Sequence, residues 1–119
     1  MCDVITSPIS VEEKNGCGNI IDPGFAANIW MHGKIIRVSF LVKNNIRFKP
    51  GLRGNEDVNF MLKCNGLTQK HAYIEEPVYL WRDEKHSITR GNEVAVRAIG
   101  SIDYIEAVTD AFKFLRGTG

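Results

Sequence analysis

The spacing of apolar residues predicts three helices. In residues 34–44, apolar side chains recur at three- and four-residue steps, which is the spacing of one helix face. The same spacing predicts a second helix over residues 55–66 and a long third helix over residues 93–116. Asn55 is expected to cap the second helix through its side chain, and Gly66 to end it. The expected buried faces are Val58, Met61 and Leu62 in the second helix, and Ala95, Ile99, Ile102, Ile105, Phe112 and Leu115 in the third.

Short strands are expected where β-branched and aromatic residues cluster between helix breakers. Residues 3–7 form one such segment, which Pro8 ends. Residues 10–22 are polar and rich in glycine and asparagine, so they are predicted to be a loop or a loose hairpin. Residues 72–74 and 78–81 are predicted to be two strands or extended segments with a turn between them. The whole pattern indicates an α+β fold, with a short mixed sheet, about three helices and a long C-terminal helix.

Composition is typical of a single folded domain. The 119 residues suit one domain, and the fractions of hydrophobic (44%) and charged (24%) residues are ordinary. A net charge of +1 gives no bulk attraction to nucleic acid, so no nucleic-acid partner is expected. Three widely spaced cysteines and three scattered histidines predict neither a disulfide framework nor a zinc site. Without a transmembrane segment or a signal-peptide pattern, a cytoplasmic location is expected, and contact with the inner membrane surface stays open.

The loop before the second helix carries the clearest candidate chemistry. Gly51 and Gly54 allow the backbone to bend close to a ligand, and Arg53 adds a positive charge beside it. Glu56 and Asp57 follow in the first turn of the helix, where the helix dipole favours negative charge. A carboxylate at that place can accept a proton from a hydroxyl, which makes Asp57 a candidate general base. The alternative is that both carboxylates are simple capping charges.

Two further segments carry side chains suited to ligand binding. Residues 81–90 hold three basic side chains, His86 and two hydroxyls, a set that could grip a diphosphate. The alternative for this segment is a solvated connecting loop. Trp30, His32 and Lys34 form the other cluster, in which Trp30 could equally be a core residue and His32 a turn residue.

The order of five short motifs resembles the second half of a family 2 glycosyltransferase. The match covers residues 3–90 and implies part of a GT-A fold, the nucleotide-binding α/β sandwich of that family. On this basis residues 1–119 form a single domain, with a motif-bearing core at 1–91 and a C-terminal helix at 92–116. The motifs are Trp-x-His-Gly-Lys at 30–34, Phe-Leu-x-Lys-Asn-Asn-Ile-Arg-Phe at 40–48, Glu-Asp at 56–57, Pro-x-Tyr-x-Trp at 77–81, and Ser-Ile-Thr-Arg at 87–90.

The resemblance implies transfer of a hexose from a nucleotide-sugar donor to a hydroxyl of a carbohydrate or lipid-linked acceptor, as in polysaccharide biosynthesis. Asp57 would be the catalytic base, and Glu56 the neighbour that helps to orient it. Trp30 and Lys34 would lie beside the acceptor, and the segment from His86 to Arg90 would close over the donor diphosphate. The expected substrate-binding residues are Trp30, His32, Lys34, Arg53, His86, Ser87 and Arg90.

The sequence departs from the family pattern in one important respect. Family members bind donor and metal through a first half that ends in an Asp-x-Asp motif, and no Asp-x-Asp occurs in this sequence. Mn²⁺ or Mg²⁺ is expected for the complete family enzyme, and no residue of this chain is assigned to it.

We therefore expect a fragment or split half of a glycosyltransferase, which would be completed by a nucleotide-binding half. The alternative is a non-catalytic binding or assembly protein derived from such an enzyme. Such a protein would use an unpaired sheet edge to form a homo-oligomer or to bind another chain. A third interpretation is an unrelated small α+β domain.

Overall fold

The computed structural model describes residues 2–12, 18–21, 29–82 and 94–118, and it has the predicted α+β composition. Strands dominate the first third of the chain, and a long helix ends it. In chain order the elements are β1 (Val4–Thr6), β2 (Ile9–Glu12), β3 (Gly18–Ile21), β4 (Lys34–Ile36), α1 (Val38–Lys43), α2 (Glu56–Leu67), β5 (His71–Tyr73), β6 (Tyr79–Arg82) and α3 (Val94–Thr118).

The described strands form two mixed sheets of three strands each. In the first sheet β1 is central, antiparallel to β4 and parallel to β5. In the second sheet β2 is central, antiparallel to β3 and parallel to β6. The predicted loose hairpin is therefore the β2–β3 pair. The two strands predicted around residues 72–81 are β5 and β6, and they lie in different sheets rather than pairing with each other.

The helix predicted to start at Lys34 begins later. Lys34 opens strand β4, and Arg37 is extended (φ −68°, ψ 124°), so α1 is only six residues long. The adjacent β-branched residues Ile35 and Ile36 favour a strand. Pairing with β1 gives their backbone groups partners, and this tertiary pairing overrides the helical spacing of the side chains. The predicted helix end is confirmed, with Asn45 in the left-handed region at φ 52°.

The core lies between the first sheet, α1 and α2. Phe48 extends it at the surface by stacking on Phe60, with ring centroids 4.2 Å apart and planes 17° from parallel. Burial raises the pKa of the Cys64 thiol to about 12, so this cysteine is a packing residue rather than a reactive one. The buried cluster consists of Val4, Phe40, Ile46, Phe60, Met61 and Cys64.

Helix α3 packs on α2 mainly through residues other than the predicted ones. Of the predicted face, Leu115 does lie against Gly66 of α2, and the side chain of Ala95 lies outside the described part of the chain. Its described buried residues are Asp103, Ala107 and Ala111, each no more than 1% exposed. Ile105, which was expected in the core, is 66% exposed, and Phe112 is 56% exposed. Small alanines let two helix backbones approach closely, so they form the contact that larger residues would hold apart.

Gly66 serves the same close approach of α3 to α2. It was predicted to end α2, but the helix continues to Leu67. A Cβ atom at position 66 would lie 2.6 Å from both Cδ atoms of Leu115. Glycine here makes room for a side chain of the neighbouring helix and does not act as a helix stop.

A polar network crosses the same interface. The Asn59 amide donates to the Ala107 carbonyl (2.8 Å) and to the carboxylate of Asp110 (2.9 Å). The buried Lys63 ammonium lies 3.1 Å from the same Asp110 oxygen. Burial alone would raise the pKa of Asp110, but the hydrogen bonds from Asn59 and Lys63 outweigh it and lower that pKa. The two helices are thus joined by charge as well as by alanine packing.

None of the helices described here is both long enough and apolar enough to cross a lipid bilayer.

Candidate functional site

The two predicted carboxylates open α2. Glu56 is exposed and Asp57 is half-buried. Asn55 precedes them in the left-handed region (φ 60°, ψ 19°) and does not cap the helix with its side chain. Its amide donates instead to the Gly100 carbonyl of α3 at 3.1 Å. The predicted side-chain cap is wrong because an N-cap needs extended backbone to reach the first turn.

The Asp57 carboxylate is positioned by its own helix. Its Oδ1 accepts a hydrogen bond from the backbone N–H of Val58 at 2.8 Å. It takes part in no ion pair with any residue of the described ranges. A carboxylate that is oriented but not neutralised by a cation can still accept a proton.

Asp57 acts electrostatically on the turn that leads into β4. Its negative charge favours the protonated form of His32. Burial has the larger, opposite effect, and Lys34 adds to it, so the pKa of His32 is lowered overall. His32 is therefore neutral at physiological pH. The charge of Asp57, from one predicted motif, therefore acts on His32, from another.

The turn is held rigidly against β1. Ser7 N–H donates to the Gly33 carbonyl at 2.9 Å, and Gly33 itself has φ +65°. A Cβ atom at position 33 would lie 2.7 Å from the Ser7 carbonyl oxygen. The Lys34 ammonium lies 3.5 Å from the His32 carbonyl oxygen, and burial lowers the pKa of this lysine. Only glycine fits at this position of the turn. The turn holds in place the backbone of both neighbours of Gly33, which are His32 and Lys34.

Aromatic rings flank His32. The His32 ring lies 4.9 Å from the ring of Tyr79 and 6.4 Å from that of Trp30, measured between centroids. Trp30 is 44% exposed and Tyr79 42% exposed, so Trp30 is not a core residue. Tyr79 was not predicted as a site residue, although it is the tyrosine of the Pro-x-Tyr-x-Trp motif. The exposed parts of Trp30 and Tyr79 offer a ligand apolar surface with polar groups beside it.

A second histidine, His71, lies on β5, which pairs with β1 on the side opposite β4. His71 Nε2 is 2.7 Å from the Thr6 hydroxyl, and its ring stacks on Tyr73 with centroids 4.6 Å apart. Burial lowers the pKa of His71, and the charge of Lys34 lowers it further. Lys34 therefore influences both histidines. No local pattern pointed to His71, because its place depends on the long-range pairing of β5 with β1.

Arg53 is engaged with α3. Its guanidinium Nη2 lies 3.0 Å from Oδ1 of Asp103, and its backbone N–H donates to Oδ2 at 3.0 Å. The side-chain hydrogen bond from Arg53 is the main reason why the pKa of Asp103 is lowered. Arg53 was predicted to bind substrate, and the structure shows it anchoring the loop before α2. The predicted residues His86, Ser87 and Arg90 lie outside the described ranges.

The described ranges contain no group of three or more His, Cys, Asp or Glu side chains that could hold a metal ion. Asp57, His32 and His71 are not arranged as such a group. We therefore assign no ligand set for Mn²⁺ or Mg²⁺ among the described residues.

No protein-family model matches the chain, and the searches of curated proteins and of solved structures gave no significant match. The motif order and the geometry of the site are the remaining grounds for a functional conclusion.

Proposed function

We propose that this chain supplies the acceptor side of a glycosyl-transfer site, with Asp57 as the catalytic base. One observation carries the proposal: the Asp57 carboxylate is oriented by the Val58 N–H at 2.8 Å and has no ion-pair partner within the described ranges. The partly exposed Trp30 and Tyr79 beside His32 suit an acceptor that presents both an apolar face and hydroxyls.

The proposed step is a single displacement. The acceptor hydroxyl gives its proton to the Asp57 carboxylate while its oxygen forms a bond to the anomeric carbon of the nucleotide sugar. The bond from that carbon to the diphosphate oxygen breaks, and the nucleoside diphosphate leaves with the electron pair. A positioned base contributes about 10²–10⁴-fold to such a rate.

His32 and Lys34 would assist by positioning. Because His32 is neutral, its ring can hydrogen-bond to an acceptor hydroxyl without bringing a positive charge beside the base. Lys34 would assist through the turn itself, because its ammonium lies 3.5 Å from the His32 carbonyl oxygen and so helps to hold the His32 backbone in place. Glu56, exposed beside Asp57, would contribute negative charge at the helix start.

Donor binding belongs, in this proposal, to a nucleotide-binding half that completes the enzyme. The Asp-x-Asp motif that holds Mn²⁺ or Mg²⁺ in the family is missing from this sequence, and we assign no step to a metal ion on this chain. The segment that includes His86, Ser87 and Arg90 would bind the diphosphate of the donor.

The test is Asp57→Asn in the completed enzyme. Asparagine keeps the shape of the side chain but cannot take the proton, so sugar transfer should fall by about 100-fold or more. Transfer is measured from a labelled nucleotide sugar, and circular dichroism confirms the fold. Glu106→Gln is the control, because this carboxylate is half-exposed on α3 and should leave transfer unchanged. Turnover near that of the wild type from Asp57→Asn would refute the base assignment.

A second candidate function, assembly without catalysis, is favoured by the exposed sheet edges. All four residues of β6 are exposed, including Leu80 at 50% and Trp81 at 37%. Ile35 on the edge strand β4 is 55% exposed. Light scattering of the 119-residue chain, with and without nucleotide sugar and Mn²⁺, separates the two functions. A stable oligomer that binds no nucleotide sugar would favour assembly.

A further inference from the structure

We propose that a basic groove at the opposite end of the first sheet from Lys34 binds a ligand of the phosphate class. The groove has a volume of about 690 Å³. Three cations line it, Arg37, Lys43 and Lys70, together with one carboxylate, Asp3. Phe40 contributes an apolar surface.

The pairing of the strands fixes where the basic groove lies. Arg37 follows β4, Lys70 precedes β5 and Asp3 precedes β1, so all three meet at one end of the sheet. Arg37 N–H donates to the Asp3 carbonyl (2.9 Å), and Asp3 N–H donates to the Lys70 carbonyl (2.8 Å). The three residues of β1, at about 3.3 Å each, lie between Asp3 at this end and the Ser7–Gly33 contact at the other. The groove is therefore distinct from the proposed acceptor site.

Within the described ranges, the charges in the basic groove are not balanced by ion pairs. Arg37 donates through Nε (3.0 Å) and Nη2 (2.9 Å) to the Cys2 carbonyl, which orients the guanidinium but leaves its charge in place. Across the described ranges, neither Arg37, Lys43 nor Lys70 forms an ion pair. The Asp3 carboxylate accepts from the Thr68 hydroxyl at 3.4 Å. Three cations against one carboxylate leave an excess of two positive charges.

An excess of two charges fits a phosphate monoester or a diphosphate better than a single carboxylate. Phosphate groups carry close to two negative charges at neutral pH and have several acceptor oxygens. Guanidinium and ammonium groups bind such oxygens through charge-assisted hydrogen bonds, and Asn44 and Gln69 add amide donors. The volume of the basic groove lies in the range of small-ligand sites. The groove can therefore also hold the chemical group to which the phosphate is attached.

Titration of the ¹⁵N-labelled chain with inorganic pyrophosphate at low ionic strength tests this site. We expect saturable shifts of the backbone amides of Arg37, Asn44 and Lys70, and none that saturate at His32. The double variant Lys43→Gln/Lys70→Gln should weaken binding about tenfold or more, because two charge-assisted contacts are lost. The double variant Lys113→Gln/Arg116→Gln, which removes two exposed cations from α3, should bind like the wild type.

A vesicle arm separates the two sources of the phosphate. Phosphatidylcholine vesicles with and without phosphatidic acid, whose headgroup is a phosphate monoester, are sedimented with the chain and with both double variants. Sedimentation that requires Lys43 and Lys70 identifies lipid headgroups, whereas pyrophosphate binding without sedimentation identifies a free phosphate ligand. Shifts that never saturate, or equal pyrophosphate affinity in the Lys43/Lys70 variant and the wild type, would overturn the proposal. Thermal melts confirm that both surface variants are folded.

Discussion

The start of α2 and the interface between α2 and α3 each carry two carboxylates, but the two regions use them differently. At the interface Asp103 pairs with Arg53 and Asp110 pairs with Lys63, at 3.0 and 3.1 Å. At the start of α2, Asp57 is held by a single backbone N–H. Interface carboxylates stabilise the fold through their partners. A carboxylate that is oriented without an ion pair, and whose charge acts on a histidine, is a stronger candidate for chemistry.

Asp110→Ala should give the largest loss of stability. It leaves the Lys63 ammonium buried without its carboxylate, and we expect a loss of about 3 kcal/mol, the low end for a buried pair because Asp110 is partly exposed. Urea unfolding followed by circular dichroism measures the change. The control is Glu106→Ala, which breaks the exposed pair with Lys49 and should cost less than about 1 kcal/mol. Equal losses from both variants would mean that burial of Lys63 does not matter.

Gly33→Ala should disturb the other region, where the turn fixes His32 and Lys34. Alanine at φ +65° is strained, and its Cβ would meet the Ser7 carbonyl oxygen at 2.7 Å, so we expect a loss of about 2–3 kcal/mol. Gly51→Ala is the matched control, because Gly51 has φ +87° but no atom lies within 4 Å of its added Cβ. Urea unfolding should show the larger loss for Gly33→Ala, and the reverse order would contradict the packing of this turn on β1.

The pH dependence of the free energy of unfolding should reveal the pair between Asp103 and Arg53. The effect should be smaller than that of either substitution above. The folded protein lowers the pKa of Asp103, chiefly through the hydrogen bond from the Arg53 side chain. The contribution of the Asp103 carboxylate to the free energy of unfolding is therefore fully present above about pH 4, the ordinary aspartate pKa. It is lost as the pH falls through the lower pKa of the folded state. The gap in unfolding free energy between wild type and Asp103→Asn should narrow below about pH 4. A constant gap from neutral pH to about pH 3 would contradict this role.

Local sequence signals predicted the elements whose ends are set by local chemistry. Pro8 ends the first strand region, Asn44 and Asn45 end α1, and the first turn of α2 begins at Glu56 as expected. Strand β4 was predicted to be helical because its two adjacent isoleucines fit both the apolar spacing of a helix and the β-branched composition of a strand. Only the partner strand β1 decides between them.

The buried face of α3 could not be read from apolar spacing. The helix has a stripe of large apolar side chains, yet Ala107 and Ala111 make the contact with α2. The contact also depends on Asp103 and Asp110, whose partners lie about 50 residues away along the chain. A prediction from local periodicity selects the helix face with the larger apolar side chains, because the local sequence carries no information about contacts with another helix.

The candidate site was predicted in part. The sequence singled out Asp57, His32 and Lys34 separately, in two motifs, and in the structure the charges of Asp57 and Lys34 both act on His32. Arg53 was assigned to ligand binding because its partner on α3 is invisible in the local sequence. Tyr79 and His71 were missed for the same reason, since their neighbours come from β1 and from the turn before β4.

The decisive experiment measures two quantities on two variants, Asp57→Asn and Asp110→Asn, in the enzyme that the proposed nucleotide-binding half would complete. Asp57→Asn should reduce sugar transfer by about 100-fold or more, while the free energy of unfolding changes by less than about 1 kcal/mol. Asp110→Asn should lower the free energy of unfolding, while transfer persists at temperatures where the protein is folded. If Asp57→Asn instead keeps its turnover, or loses stability as Asp110→Asn does, then Asp57 is a structural carboxylate and not the base.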